Sequence, residues 1–320
     1  MNEPASHPAP SGTELGDTVD VRRPGIALPR RLLLLTLVLA TAGCTLLPEK
    51  PAPVPPPAPK VALALGGGAA RGFAHVGVIK ALEAQGIVPD IVVGTSAGAV
   101  VGAIYASGVS GFELQRIALD MEKAQVFDWN VSVRAPLKGE PLRNFINDAV
   151  LQRPMEKLKR RFAAVATDLG SGEPALFRNG ETGRAVQASA AVPGIFQPVS
   201  IDGRDYVDGG LVSPVPVRAA RRLGADFVIA VDISAKPREG RLGNGFDILL
   251  QTFAIMGQSL LRGELPAADV VIRPATAELS AASLDDRHRA ILEGEKAAAA
   301  AMAELKDKLA RLRAPVPAAK

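Results

Sequence analysis

The 320 residues, 48% hydrophobic but only 4% aromatic, are enough to bury one large α/β core or two modest ones. A formal charge of +4 is small for this length, and Arg22, Arg23, Arg30 and Arg31 crowd one short segment, so the basic balance does not argue for nucleic-acid binding. A lone cysteine, Cys44, excludes an internal disulfide framework and a Cys-rich metal site, and no clustered His/Cys set or carboxylate loop implies a metal or cofactor.

The first element in chain order is a processing segment. Arg30 and Arg31 precede the apolar run LLLLTLVLA (32–40), which is too short to span a bilayer and has the layout of an export signal. Its ending, TAGC at 41–44, resembles a bacterial lipobox: Ala42, Gly43 and Cys44 match, while Thr41 stands where leucine is commoner. The resemblance implies a leader and signal over 1–43, lipidation of Cys44, and an envelope lipoprotein; Thr45 implies sorting to the outer membrane. The alternative is an ordinary cleaved signal with an incidental cysteine. Glu3, Glu14, Asp17 and Asp20 are unlike a normal signal start and leave the translation start open. PEKPAPVPPPAPK (48–60) reads as an extended polyproline tether, so residues 44–60 would lift a domain off a membrane.

The globular part, 61–313, opens with VALAL (61–65), a strand buried on both faces. A glycine loop, a helix from Phe73 to Gln85 closed by Gly86, the strand IVV (91–93) and a helix over 97–107 follow. This alternation predicts a three-layer α/β fold: a mostly parallel central sheet with helices on both faces. Further strands are expected at 161–167, 227–232 and 269–274, a helix in VPVRAARRLG, and a last helix from Asp285 to Arg313 that packs on the domain or meets a membrane. The stretch 110–155 reads as less regular, and Phe127 and Trp129 in it are either a lid or an aromatic anchor.

Three motifs carry the chemistry. GTSAG (94–98) follows a strand and opens a helix, the context of a nucleophile elbow. Gly94 permits the strained turn, Gly98 lets the helix pack closely, and Ser96 sits at a helix N-terminus that favours negative charge. GGGAARG (66–72) exposes consecutive backbone amides to an anion, either a phosphate or the oxyanion of acyl transfer; without a Walker-type Lys-Ser/Thr the nucleotide reading is weak. The two loops should lie side by side at the C-terminal ends of adjacent parallel strands. In VSIDGRDYVDGG (199–210), Asp202-Gly203 reads as a hairpin turn, and Asp208 before Gly209 and Gly210 is either an Asx cap or a functional carboxylate. Neither His7, in the Pro-rich leader, nor His288, in a charged tail, is placed to receive a serine proton, and His75 shares a helical face with Ile79 and Leu82.

In this order, with GFAHVGVIKAL (72–82), ATDLGSGE (166–173) and ASAAVPGIFQPV (188–199) in register, the motifs resemble the patatin-like phospholipase family from 61 to about 305. The resemblance implies a lipid acyl hydrolase with a Ser–Asp dyad, no cofactor, and a membrane-lipid or other acyl-ester substrate. Ser96 is then the nucleophile and Asp208 its base, with the loop of Gly67, Gly68, Ala69 and Arg71 as oxyanion hole. Ala69 stands where many members carry a further glycine. Arg71 is either structural or orients the loop. His75 is the rival base, and Asp168 and Asp232 are lesser alternatives to Asp208. An acyltransferase and a non-catalytic lipid-binding or envelope scaffold are the competing functions. Acyl length, head group and oligomeric state are not legible.

Overall fold

An unbroken apolar run has to be covered on both sides, and Val61–Leu65 (β1) is buried at every residue. The computed structural model describes residues 58–122, 137–237, 245–279 and 284–313. The leader, the signal, Cys44, nearly all of the Pro-rich tether, and Phe127 with Trp129 lie outside the described residues.

Around β1 stand Ile91–Thr95 (β2), Arg161–Asp168 (β3), Pro174–Phe177 (β4), Val199–Ile201 (β5), Arg204–Asp208 (β6), Phe227–Val231 (β7) and Val270–Ile272 (β8). They form one sheet in the order β5-β6-β3-β2-β1-β7-β8, with β4 also paired to β3. The run β3-β2-β1-β7-β8 is parallel; β4, β5 and β6 are antiparallel. β5 and β6 form the hairpin expected at Asp202-Gly203, both residues having positive φ.

The helices are Phe73–Ala84 (α1), Ala97–Ala106 (α2), Gly111–Asp120 (α3), Glu140–Ala149 (α4), Thr182–Ser189 (α5), Val217–Arg222 (α6), Gly245–Glu264 (α7) and Arg287–Arg313 (α8). Alternate β1 residues divide the core. Val61, Leu63 and Leu65 pack with side chains of α1, α2, α3, α4 and α8, whereas Ala62 and Ala64 pack with α6 and with Leu261 of α7. This is the expected three-layer arrangement.

The described parts of 110–155 are more regular than the sequence reading holds. α3 starts at a capping box: Glu113 donates its amide to Ser110 Oγ at 3.2 Å, and Ser110 donates its own to Glu113 Oε2 at 3.1 Å. α4 carries proline in its first turn, where a missing N–H costs nothing. α5 and α7 are further helices that the sequence reading lacks.

The last helix packs on the domain. Ala290, Ile291, Gly294, Ala298, Leu305 and Leu309 are buried, and α8 meets α1 backbone to backbone. A side chain at Gly77 would collide with Ile291 O, and one at Gly294 with Ala74 O. Helices this close require glycine on both sides of the contact.

Candidate active site

β1 and β2 are parallel neighbours with Leu65 opposite Gly94, so the glycine loop and the GTSAG turn emerge side by side from the C-terminal end of the sheet. At the turn Ser96 adopts φ 53, ψ −121, a conformation that a residue with a side chain rarely holds. The surroundings force it. A Cβ at Gly94 would run into Gly98 O and the Ala99 backbone, and a Cβ at Gly98 into Leu65 O, so the following helix sits directly on the strand ends.

Ser96 is held by a residue that motif reading misses. Its amide donates to Ser189 Oγ at 2.9 Å, and the Ser189 hydroxyl donates to Val165 O at 2.6 Å. Ser189 is fully buried at the end of α5 and ties the elbow to β3. Only its place in the ASAAVPG stretch marked it, since the contact spans 93 positions in sequence.

Asp208 ends β6 opposite Ala166 of β3. The next residue, Gly209, passes so close to Val165 O that no Cβ fits, which carries the chain across the strand tips. The segment then reaches β2 and the glycine loop: Thr95 Oγ1 donates to Ser213 O at 2.8 Å, and Gly67 donates its amide to Pro214 O at 2.9 Å. Asp208 is indeed a cap, its Oδ1 accepting from Gly210 N at 2.7 Å, but Oδ2 is buried without a hydrogen bond. Burial pushes the carboxyl up to about 6; the Ser96 hydroxyl and the Gly210 amide pull the other way. Ser96 is thus close enough to stabilise the carboxylate, although their contact does not reach good hydrogen-bond geometry.

The glycine loop is fastened at several points. Gly66 donates its amide to Val231 O at 3.0 Å, and Arg71 donates both its amide and Nε to Gly68 O, each at 3.2 Å. Gly67, expected among the oxyanion donors, has its amide directed at Pro214 O instead; it contributes closeness, since a Cβ there would be 3.3 Å from Ser96 Cβ. Among the described residues, the amides of Gly68 and Ala69 enter no backbone hydrogen bond. Ala69 has φ 51, the left-handed region in which glycine costs least. Ala69→Gly is therefore expected to raise the thermal midpoint by the equivalent of up to about 1 kcal/mol, whereas Ala69→Val lowers it. Calorimetry of the two variants checks this.

The remaining candidates are occupied elsewhere. His75 is fully buried, and its Nε2 lies 2.8 Å from Gly66 O; since a carbonyl only accepts, Nε2 carries the proton. Burial holds the imidazole down to about 4, and its bond to Gly66 O braces the start of the glycine loop. Asp168 accepts from Ser171 N at 2.9 Å and Gly170 N at 3.0 Å and pairs with Arg204 at 2.7 Å; the Ser171 amide foremost lowers its pKa. Asp232 accepts from Ser234 N at 3.0 Å and faces Arg273 at 3.6 Å. His288 is exposed on α8.

Ser96, Asp208, Gly68 and Ala69 line one cavity of about 260 Å³, walled on its other side by Val192, Leu211 and residues of α7. A mostly parallel sheet that raises a strained serine on a strand-to-helix turn, beside a glycine loop whose Gly68 and Ala69 amides enter no backbone hydrogen bond, defines an α/β protein with its candidate site at the C-terminal strand ends.

Residues 63–221 match the model described as patatin-like phospholipase, and over that stretch the chain belongs to this family. An uncharacterized NTE family protein of Mycobacterium tuberculosis is 38% identical over 176 residues, covering 54% of this chain and 49% of that protein. Patatin-like phospholipase domain-containing protein 6 of Homo sapiens is 32% identical over 228 residues, covering 68% of this chain and 16% of that protein. The chain therefore spans half or less of these relatives' lengths. Among solved structures, VipD from Legionella pneumophila shares the fold with a TM-score of 0.55 at 16% identity, over 78% of this chain and 67% of that one.

Proposed function

We propose that the protein is a serine-dependent lipid acyl hydrolase in which Ser96 and Asp208 act as a dyad. The observation that carries this reading is a serine strained to φ 53 beside a buried carboxyl raised to about 6. Near neutral pH that carboxyl is largely ionised yet more basic than an ordinary aspartate, which suits a general base. Asp208 takes the Ser96 proton as Oγ bonds to the ester carbonyl carbon. The carbonyl oxygen becomes an oxyanion facing the amides of Gly68 and Ala69 and the N-terminus of α2. Collapse expels the alcohol, which leaves with the proton held by Asp208, and an acyl group remains on Ser96. Water, deprotonated by Asp208, then releases the acid and restores the hydroxyl.

The purified protein should react with a fluorophosphonate probe at Ser96, and the adduct should be located by peptide mass. Failure to react would favour a lipid-binding scaffold. Labelling combined with acyl transfer to an added alcohol in preference to water would favour an acyltransferase.

The segment at 30–44 and the Pro-rich stretch after it support an envelope lipoprotein anchored through Cys44. Cys44→Ser is expected to abolish incorporation of labelled fatty acid and to move the protein from the membrane to the soluble fraction. Unchanged fractionation with no label in the wild type would rule the anchor out.

A further inference from the structure

α7 has two edges with different surroundings. Its inner edge is packed: Leu261 is buried in the core, and a Cβ at Gly194 would come to 3.0 Å from Leu249 Cδ2. Gln251, Phe253, Ala254 and Met256 wall the cavity that holds Ser96 and Asp208. The outer edge is exposed and uncharged, with Thr252 and Ser259 alternating along it with the isoleucines. Ile248 and Ile255 are each 54% exposed and Met256 45%, and from Ile248 to Leu261 no residue carries a charge. Ile248 and Ile255, seven apart, share one side of the helix, and Met256 lies on both the outer edge and the cavity wall. A solvent-exposed helix normally interleaves charges along such an edge.

Two cationic groups border the stripe, and one acidic residue, Asp247, precedes Ile248 in sequence. Lys236 is exposed on the cavity wall, and Arg262 is exposed one position past the uncharged run. The nearest carboxylate on the helix beyond it, Glu264, is turned inward and accepts from Ser213 Oγ at 2.8 Å. No described helix is long and apolar enough to cross a membrane; a helix with an exposed apolar edge can lie in the plane of a membrane surface.

We propose that the outer edge of α7 seats the protein on an anionic phospholipid surface, with Ile248, Ile255 and Met256 entering the acyl boundary, Lys236 and Arg262 meeting head-group phosphates, and the cavity opening toward the lipid. The proposal rests on the lipid-hydrolase reading of the Ser96 site for its purpose, and on the exposed Ile248, Ile255 and Met256 with Lys236 and Arg262 beside them for its partner. A second copy of the chain is the competing occupant of the same face.

The test uses the full chain with Cys44→Ser, so that no lipid anchor contributes, and vesicles of phosphatidylcholine with phosphatidylglycerol. Ile255→Cys carrying an environment-sensitive fluorophore should shift to the blue on vesicles, while the same label at Glu304→Cys on α8 should not. Ile248→Glu with Ile255→Glu should lower hydrolysis of vesicle lipid at least about tenfold, since both exposed isoleucines then give up their apolar burial in the lipid and bring negative charge to an anionic surface. Hydrolysis of a water-soluble butyrate ester and the melting temperature should be unchanged, because neither side chain lines the cavity or the core. An unshifted label, with vesicle hydrolysis unaffected by the double substitution, overturns the proposal. So does a wild-type dimer that the substitutions dissociate without altering vesicle binding. If the wild type hydrolyses no soluble ester but the label at 255 still shifts, the docking surface stands and the catalytic reading falls.

Discussion

Ser96→Ala and Asp208→Asn are each expected to lower acyl-ester turnover on the order of 10⁴-fold or more, and the double substitution should cost little beyond either alone. Groups that act as a unit are non-additive: once Oγ is gone, a base for it has nothing to do. Steady-state rates on a soluble ester, with binding checked separately, measure this. In the wild type, activity should rise with pH through about 6 as Asp208 ionises, and His75→Gln should leave that limb in place. A pH limb abolished by His75→Gln together with near-normal Asp208→Asn turnover would transfer the role of base to the histidine.

Stability should move against activity. A folded carboxyl at about 6 against an ordinary 3.8 binds its proton more tightly folded than unfolded, so its contribution is present at low pH and lost as pH rises through 6. Asp208→Asn should therefore unfold at higher denaturant near neutrality, by up to about 3 kcal/mol, since a carboxyl displaced by one pH unit is worth about 1.4 kcal/mol. His75 works in reverse. Its imidazole, held at about 4 against 6.5, contributes stability above 6.5 that is lost as pH falls toward 4. In the wild type the two effects oppose each other between pH 4 and 6. Asp208→Asn removes one of them, so urea titrations of that variant should show a sharper acid loss than the wild type.

Gly68→Val is expected to cut turnover about 100- to 1,000-fold in a folded protein, the scale of one lost oxyanion donor. Its backbone φ of 175 is open to any residue, so the effect is steric: a Cβ would sit 2.7 Å from Ile233 Cδ1 and 2.9 Å from Ile233 O. The side-chain carbon can yield, but the carbonyl belongs to the chain leaving β7 and cannot move without it. The loop shifts instead, taking the Gly68 and Ala69 amides off the oxyanion position. Rates on a soluble ester, with the melt as a folding control, read this out, and full activity in folded Gly68→Val would remove the loop from the mechanism.

Much of the architecture is legible because burial leaves its mark on local pattern. VALAL and IVV read as buried strands, and glycines at 94 and 98 read as an elbow, because close approach admits no other residue. What escapes is non-local or locally mixed. α7 shows no charge periodicity from 248 to 261, so its edge cannot be told from a core segment until the fold shows what lies beside it. Ser110 and Glu113 spell a helix start that an eye on the irregular stretch as a whole passes over. The polar tasks of Ser189 and His75 depend on carbonyls that only folding brings near, Val165 O and Gly66 O. Asp208 could be read as a cap or as a base, and its two oxygens show why: one caps Gly210, and the other is left buried without a partner.

The family stretch ends at 221, but the supports of its own glycine loop come later in the chain. Val231 holds the Gly66 amide, Ile233 fills the space beside Gly68, and α8 is pressed against the helix that follows the loop. Cutting at 221 would strip β1 of β7 and turn an interior strand into a raw border, with Gly77 facing water where Ile291 had been. The stretch that matches the family and the stretch that must assemble as an object are therefore different lengths of chain. Residues beyond the matched stretch keep the serine's neighbours in place.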